Sequence, residues 1–211
     1  MLSKTQQVWR HLVCGAIERG QRRWPSVTAL ARELGMGVST VHAALEHPVE
    51  IGAVRIRPAG GVRVVDPGRL LLVWAGPRRL SRDITNRFHV TGSAPAVERM
   101  ITNPTAVLGG FGAVVAHIGG NTIADYETVL VYGDPRISSR RRVKDSDPQR
   151  VTEVLVAEAD PLLAGYGRVT PLTQAWVDLF SLRGWQASRF VHALLPRLVT
   201  DAVTEAGLLS A

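Results

Sequence analysis

The stretch from Pro25 to Val41 limits what this chain can fold into more than any other. Trp24-Pro25 breaks the segment before it, and Ser26 follows with a side chain suited to capping a helix. Val27, Leu30, Ala31 and Leu34 recur at helical spacing, which predicts a helix over Val27–Leu34. Gly35-Met36-Gly37 then predicts a tight turn, because glycine adopts the positive φ that ends a helix. A further helix opens at Val38 or Ser39 and runs to about Leu45. Its spacing puts Val38, Val41 and Leu45 on the buried side, with Ser39, Thr40, His42 and Ala43 facing out. Two short helices joined by a glycine-containing turn make a helix-turn-helix arrangement. Upstream, Ser3 caps a helix expected through about Gly20, with Val8, Leu12, Val13, Ala16 and Ile17 as its apolar stripe.

The next segment adds a second element. Val54-Arg55-Ile56-Arg57, Pro58-Ala59-Gly60-Gly61 and Val62-Arg63-Val64-Val65 read as a β-hairpin. Alternation sends Val54, Ile56, Val62 and Val64 to one face and Arg55, Arg57 and Arg63 to the other. Arginines on the open face of a hairpin beside a helix-turn-helix can touch a phosphate backbone or a minor groove. The charge distribution points the same way. Residues 1–80 carry eleven Arg and one Lys against five acidic residues, whereas residues 81–211 carry twelve Arg and one Lys against thirteen. The whole formal excess of +7 therefore lies in the first 80 residues. Such an asymmetry attracts a polyanion, although charge alone leaves a solvated basic face equally open.

With these elements in place, the run Pro25-Ser26-Val27-Thr28-Ala29-Leu30-Ala31-Arg32-Glu33-Leu34-Gly35-Met36-Gly37-Val38-Ser39-Thr40-Val41 is similar to bacterial winged-helix repressors. The resemblance implies a recognition helix in the major groove with a wing beside it. Ser39, Thr40 and His42 would then face bases, and Arg22, Arg23, Ser26, Thr28, Arg55, Arg57 and Arg63 would hold the backbone of double-stranded DNA. For His42 the competing assignment is an ordinary surface histidine.

Asp66-Pro67 ends the hairpin and starts a helix through about Ala75, with Pro67 in its first turn. Gly76-Pro77-Arg78-Arg79 marks a domain boundary, giving a winged helix-turn-helix domain over residues 1–76 and an antitoxin or effector domain over 77–211. In the second domain helices are expected over Ala94–Thr102, Thr105–Ile118, Thr173–Leu182 and Gln186–Thr204, and strands over Thr128–Tyr132 and Val151–Glu158. Trp176, Leu179, Phe180, Phe190, Leu194, Leu195 and Leu198 are its core candidates. Strands and helices without regular alternation predict an α+β chain: an N-terminal winged helix followed by a mixed α/β domain.

Composition excludes several classes of function. With 45% hydrophobic residues the chain is no disordered polymer, and no apolar run approaches the roughly 20 residues a membrane span needs. The first residues show no export signal, so a cytoplasmic protein with no membrane partner is expected. A single cysteine, Cys14, excludes an internal disulfide, and no Cys/His cluster has zinc spacing. Leu108-Gly109-Gly110-Phe111-Gly112 lacks the spacing of a phosphate loop and reads as close helix packing. The carboxylate pairs Asp125/Glu127, Asp145/Asp147 and Glu158/Asp160 are of a kind that holds Mg²⁺ in nucleotide-handling enzymes, yet loops are rich in them. Arg140-Arg141-Arg142 reads as a solvated loop or as a surface for an acidic or nucleic-acid partner.

Thr170-Pro171-Leu172-Thr173-Gln174-Ala175-Trp176-Val177-Asp178-Leu179 resembles the proline, glutamine and aspartate–leucine segment of AbiEi-type antitoxins, the winged-helix halves of bacterial type IV toxin–antitoxin pairs. Ala106–Gly119 and Thr128–Tyr132 correspond to family elements in the same order, so the resemblance spans most of the chain and is nearest the mycobacterial branch. It implies an antitoxin that neutralises a nucleotidyltransferase toxin and represses its own promoter at inverted repeats, with Gln174 and Asp178 in the antitoxin motif. It implies no cofactor. An alternative is an atypical serine/threonine kinase that phosphorylates the toxin with ATP and Mg, using Asp178 or the paired carboxylates. A third reading is a ligand-sensing winged-helix repressor.

Overall fold

A computed structural model describes residues 1–58, 60–136 and 149–207, with the backbone alone for 200–207. The chain is α+β, with eight α-helices and seven strands among the described residues. It divides into two units: Leu2–Arg78 together with the chain from Leu194 onward, and Arg79–Ala193 with Met1. The division runs between Arg78 and Arg79, where the sequence had placed a boundary after residue 76. Among the described residues no helix is long and apolar enough to cross a membrane.

In the first unit α1 (Lys4–Glu18) begins where the Ser3 hydroxyl accepts from the Gln6 amide at 3.2 Å. Its stripe Val8, Leu12, Val13 and Ala16 is buried, as is Cys14. After α1 come β1 (Arg23–Trp24), α2 (Val27–Glu33) and α3 (Val38–Glu50), then β2 (Val54–Ile56), β3 (Val62–Val64) and α4 (Pro67–Ala75). The three strands form one antiparallel sheet in the order β1-β3-β2. This element order is compatible with the winged helix expected from the sequence. Asp66 caps α4, its carboxylate accepting from the Arg69 amide at 2.8 Å.

Helix α3 passes beyond its expected end at Leu45 and carries Pro48 within it. Proline has no N–H, so the Ala44 carbonyl four residues back loses its helical donor. The Trp9 indole of α1 donates to that carbonyl at 2.7 Å, which removes the cost of leaving it unpaired. Val38, expected inside, is 45% exposed, because it is the first residue of α3 and precedes the buried row at Val41, Ala44 and Leu45.

The second unit holds β4 (Ile84–Thr91), α5 (Ala94–Met100), β5 (Val107–Gly109), α6 (Gly110–Ile118), β6 (Thr128–Tyr132), β7 (Val151–Ala157), α7 (Leu172–Ser181) and the start of α8 (Trp185–Gly207). Its four-stranded sheet has the order β4-β7-β6-β5, with β6 and β7 parallel and the outer pairings antiparallel. Leu80, Val107, Leu130, Tyr132, Leu155 and Leu163 make one buried cluster on it. Phe111 stacks on Tyr126 at 5.1 Å between ring centroids, and Phe190 of α8 meets Phe111 edge-on at 5.1 Å.

Two expectations change here. Residues 105–118 are not one helix: Val107–Gly109 pairs with β6 before α6 begins. Phe180, a core candidate, is 47% exposed, because it lies in the last turn of α7 with its ring against Trp176, 5.3 Å between centroids. Leu195 is half-buried, whereas Trp176, Leu179, Phe190, Leu194 and Leu198 are buried. Asp145, Asp147, Arg140, Arg141 and Arg142 lie outside the described residues, as does Ala59 in the hairpin turn.

Candidate nucleic-acid interface

The helix-turn-helix is closed by backbone bonds that its glycine permits. Gly35 adopts φ +61°, and the Met36 amide donates to the Ala31 carbonyl at 2.9 Å, ending α2. At the other end of α2 the Ser26 hydroxyl accepts from the Ala29 amide at 3.0 Å. Ser26 thus fixes where α2 starts, and Thr28 stands exposed two residues on. Helix α3 begins after Gly37 with no side-chain cap, leaving its first-turn amides at the positive end of the helix dipole. Within the first turns of α3, Ser39 and His42 are exposed and Thr40 is half-buried. His11 of α1 lies 3.1 Å from the Glu33 carboxylate of α2. Burial pulls the His11 pKa below the usual imidazole value, with Glu33 opposing that shift.

The sheet organises the arginines in a way the sequence did not reveal. Strand β3 is central, and Arg63 sits opposite Arg23 of β1 on one side and Arg55 of β2 on the other. Arg23, Arg63 and Arg55 therefore form a row across all three strands. Arg22 falls out of this row: it precedes Arg23 by one residue, is half-buried, and its carbonyl accepts from the Val64 amide at 2.9 Å. Arg57 lies just past β2, in the turn, where its amide donates to the Gly61 carbonyl at 2.8 Å. A cleft of about 390 Å³ opens here, lined by Arg23, Arg57 and Arg63 with Trp24, Pro25 and Gly61. Strand β1 was not legible in the sequence, since two residues between a glycine-ended helix and a proline show no alternation.

In the second unit Gln174 and Asp178 are fully buried in α7. The Tyr132 hydroxyl of β6 donates to the Asp178 carboxylate at 2.6 Å, and the Trp176 indole donates to the Val191 carbonyl of α8 at 2.9 Å. The segment that carries the family resemblance is therefore internal, joining α7 to the sheet and to α8. The Leu108–Gly112 stretch is close packing as well. A Cβ on Gly109 would come within 2.9 Å of the Tyr132 ring, and one on Gly112 would overlap the Glu98 carboxylate and Leu108.

Two of the candidate carboxylate pairs lie within the described residues. Asp125 and Glu127 both lie 3.7 Å from the Arg150 guanidinium, and Asp160 accepts from the Leu162 amide at 3.1 Å in a turn. Among the described residues no group of three His, Cys, Asp or Glu side chains surrounds a point where a metal would sit. A second cleft, of about 580 Å³, lies past the carboxyl ends of β6 and β7, where Asp134 pairs with Arg136 at 3.2 Å. Elsewhere in this unit Glu98 of α5 is pushed up to about 7 by burial, with the Tyr126 hydroxyl donating to it at 3.1 Å.

Compared with protein-family models, with curated proteins and with solved structures, the chain has no match. The functional reading rests on its own geometry and on the sequence resemblance.

Proposed function

We propose that this chain is a double-stranded-DNA-binding autorepressor, and that its second unit neutralises a nucleotidyltransferase toxin, as the likeness to AbiEi-type antitoxins implies. One observation carries the DNA reading. The exposed residues of α3, Ser39 and His42, belong to the same unit as a sheet whose arginines Arg23, Arg55, Arg57 and Arg63 have no carboxylate partner among the described residues. Ser39, Thr40 and His42 read base edges in the major groove, and the arginines bind phosphates. The buried setting of Gln174 and Asp178 supports a structural share for them in toxin neutralisation, with contact made by surface residues. Operator binding measured by fluorescence anisotropy across a salt series tests the DNA reading. Arg57→Ala with Arg63→Ala should weaken all duplexes alike and reduce the salt slope by about two phosphates. Loss of sequence preference with unchanged affinity would contradict the assignment. Growth rescue on co-expression with the neighbouring toxin gene tests the second part.

A further inference from the structure

The arginine row has a cost that ordinary surface arginines avoid. Residues directly opposite on antiparallel strands hold their Cβ atoms about 5 Å apart, and like charges placed there destabilise the pairing. Arg63 faces a like charge on both sides. Some surface arginines elsewhere have a carboxylate, Arg69 with Asp66 at 3.6 Å, Arg87 with Glu153 at 2.9 Å and Arg136 with Asp134, whereas Arg32, Arg82 and Arg168 have none among the described residues. Among the described residues the row has none either. Two members of the row, Arg23 and Arg63, line one concave space together with Arg57 of the turn.

We infer that the cleft between β1 and the hairpin is a preformed seat for a single phosphate group, held by Arg23, Arg57 and Arg63. The inference rests on the DNA reading above only in naming the phosphate as a backbone phosphodiester. Guanidinium forks match phosphate oxygens two at a time, so an anion entering a cleft lined by three arginines offsets their mutual repulsion. The floor is firm, because Trp24 is 3% exposed and the turn is closed by the Gly60 amide donating to the Arg57 carbonyl at 2.7 Å. The seat is also open at Gly61. Its φ is not in the left-handed region, and a Cβ there meets the Trp24 and Pro25 carbonyls only at 3.6 Å. A longer side chain at 61 would fill the cleft without removing a charge.

Thermal unfolding of the full chain in sodium phosphate, against sodium chloride at equal ionic strength, tests the seat. Phosphate should raise Tm along a saturating curve that chloride does not reproduce. Arg63→Gln should raise Tm in low-salt buffer without phosphate, by relieving repulsion, and should abolish the saturable response. Gly61→Leu should abolish that response with all four arginines present. A phosphate effect that is linear, or that survives in both variants, is general exclusion from the surface and overturns the inference. With duplex DNA, Arg63→Gln should lose about one phosphate from the salt slope. A saturable phosphate response without DNA binding would keep the seat and remove the DNA reading. DNA binding without the response would do the reverse.

Discussion

At the level of single residues, the chemistry of this chain lies in where it places charge. Glu98 is the clearest case inside the second unit. Its folded pKa, raised from 4.5 to about 7 by burial, means the folded state prefers the neutral acid. The associated stability is fully present below about pH 4.5 and is lost as pH rises through about 7. Glu98→Gln keeps an acceptor for the Tyr126 hydroxyl and removes the titration. Chemical denaturation should find it more stable than the parent at pH 8, by on the order of 3 kcal/mol, and equal to it near pH 4. A difference that does not depend on pH would contradict this. Beside it, Gly112→Ala drives a methyl into the Glu98 carboxylate and Leu108 and should cost about 1–3 kcal/mol at any pH. Gly119→Ala, where nothing lies within 4 Å but φ is +75°, should cost less and through backbone strain alone.

At the level of elements, legibility followed the strength of the local signal. The caps at Ser3, Ser26 and Asp66 were readable, since each places an oxygen three residues before the amide it accepts from. The hairpin was readable from alternation, and its register follows the predicted faces at Val54, Val62 and Val64. Strand β4 was not readable. It is an edge strand, and Asn86 interrupts the alternation of the half-buried Ile84, Phe88 and Val90, so the apolar period is incomplete. Strand β5 was hidden inside an apolar, glycine-rich run, where period alone cannot separate strand from helix. The extension of α3 past Pro48 depends on a partner distant in sequence, and no local rule supplies Trp9. Trp9→Phe keeps the ring but orphans the Ala44 carbonyl, and should lower stability by about 1–3 kcal/mol, read by urea unfolding. A neutral result would show that water or a 3₁₀ bond takes the carbonyl. Of the candidate interface, the residue types were legible and the cross-strand row was not, because it is set by β1.

At the level of the whole molecule, the last helix belongs to both units. Phe190 packs with the aromatic cluster of the second unit, while Leu194, Leu198 and Val199 fall in the unit that holds the helix-turn-helix. Val199 methyls would lie 3.3 Å from a Cβ on Gly68, the second residue of α4. A fragment ending near residue 76 therefore lacks part of its own core. Leu198→Ala, removing a side chain that is 2% exposed, should destabilise by about 2–5 kcal/mol, with earlier proteolysis within residues 2–78 as the readout. Protection unchanged there would show that the first unit is held without α8. The central claim is that the positive excess of residues 1–80 serves a duplex. The measurement that tests it most directly is the affinity of the full chain for its own promoter across a salt series. The account predicts log K falling linearly with log salt at about 0.9 per phosphate neutralised, and a shallower slope in Arg57→Ala/Arg63→Ala. Binding absent at low salt, or a slope unchanged by those substitutions, would contradict it.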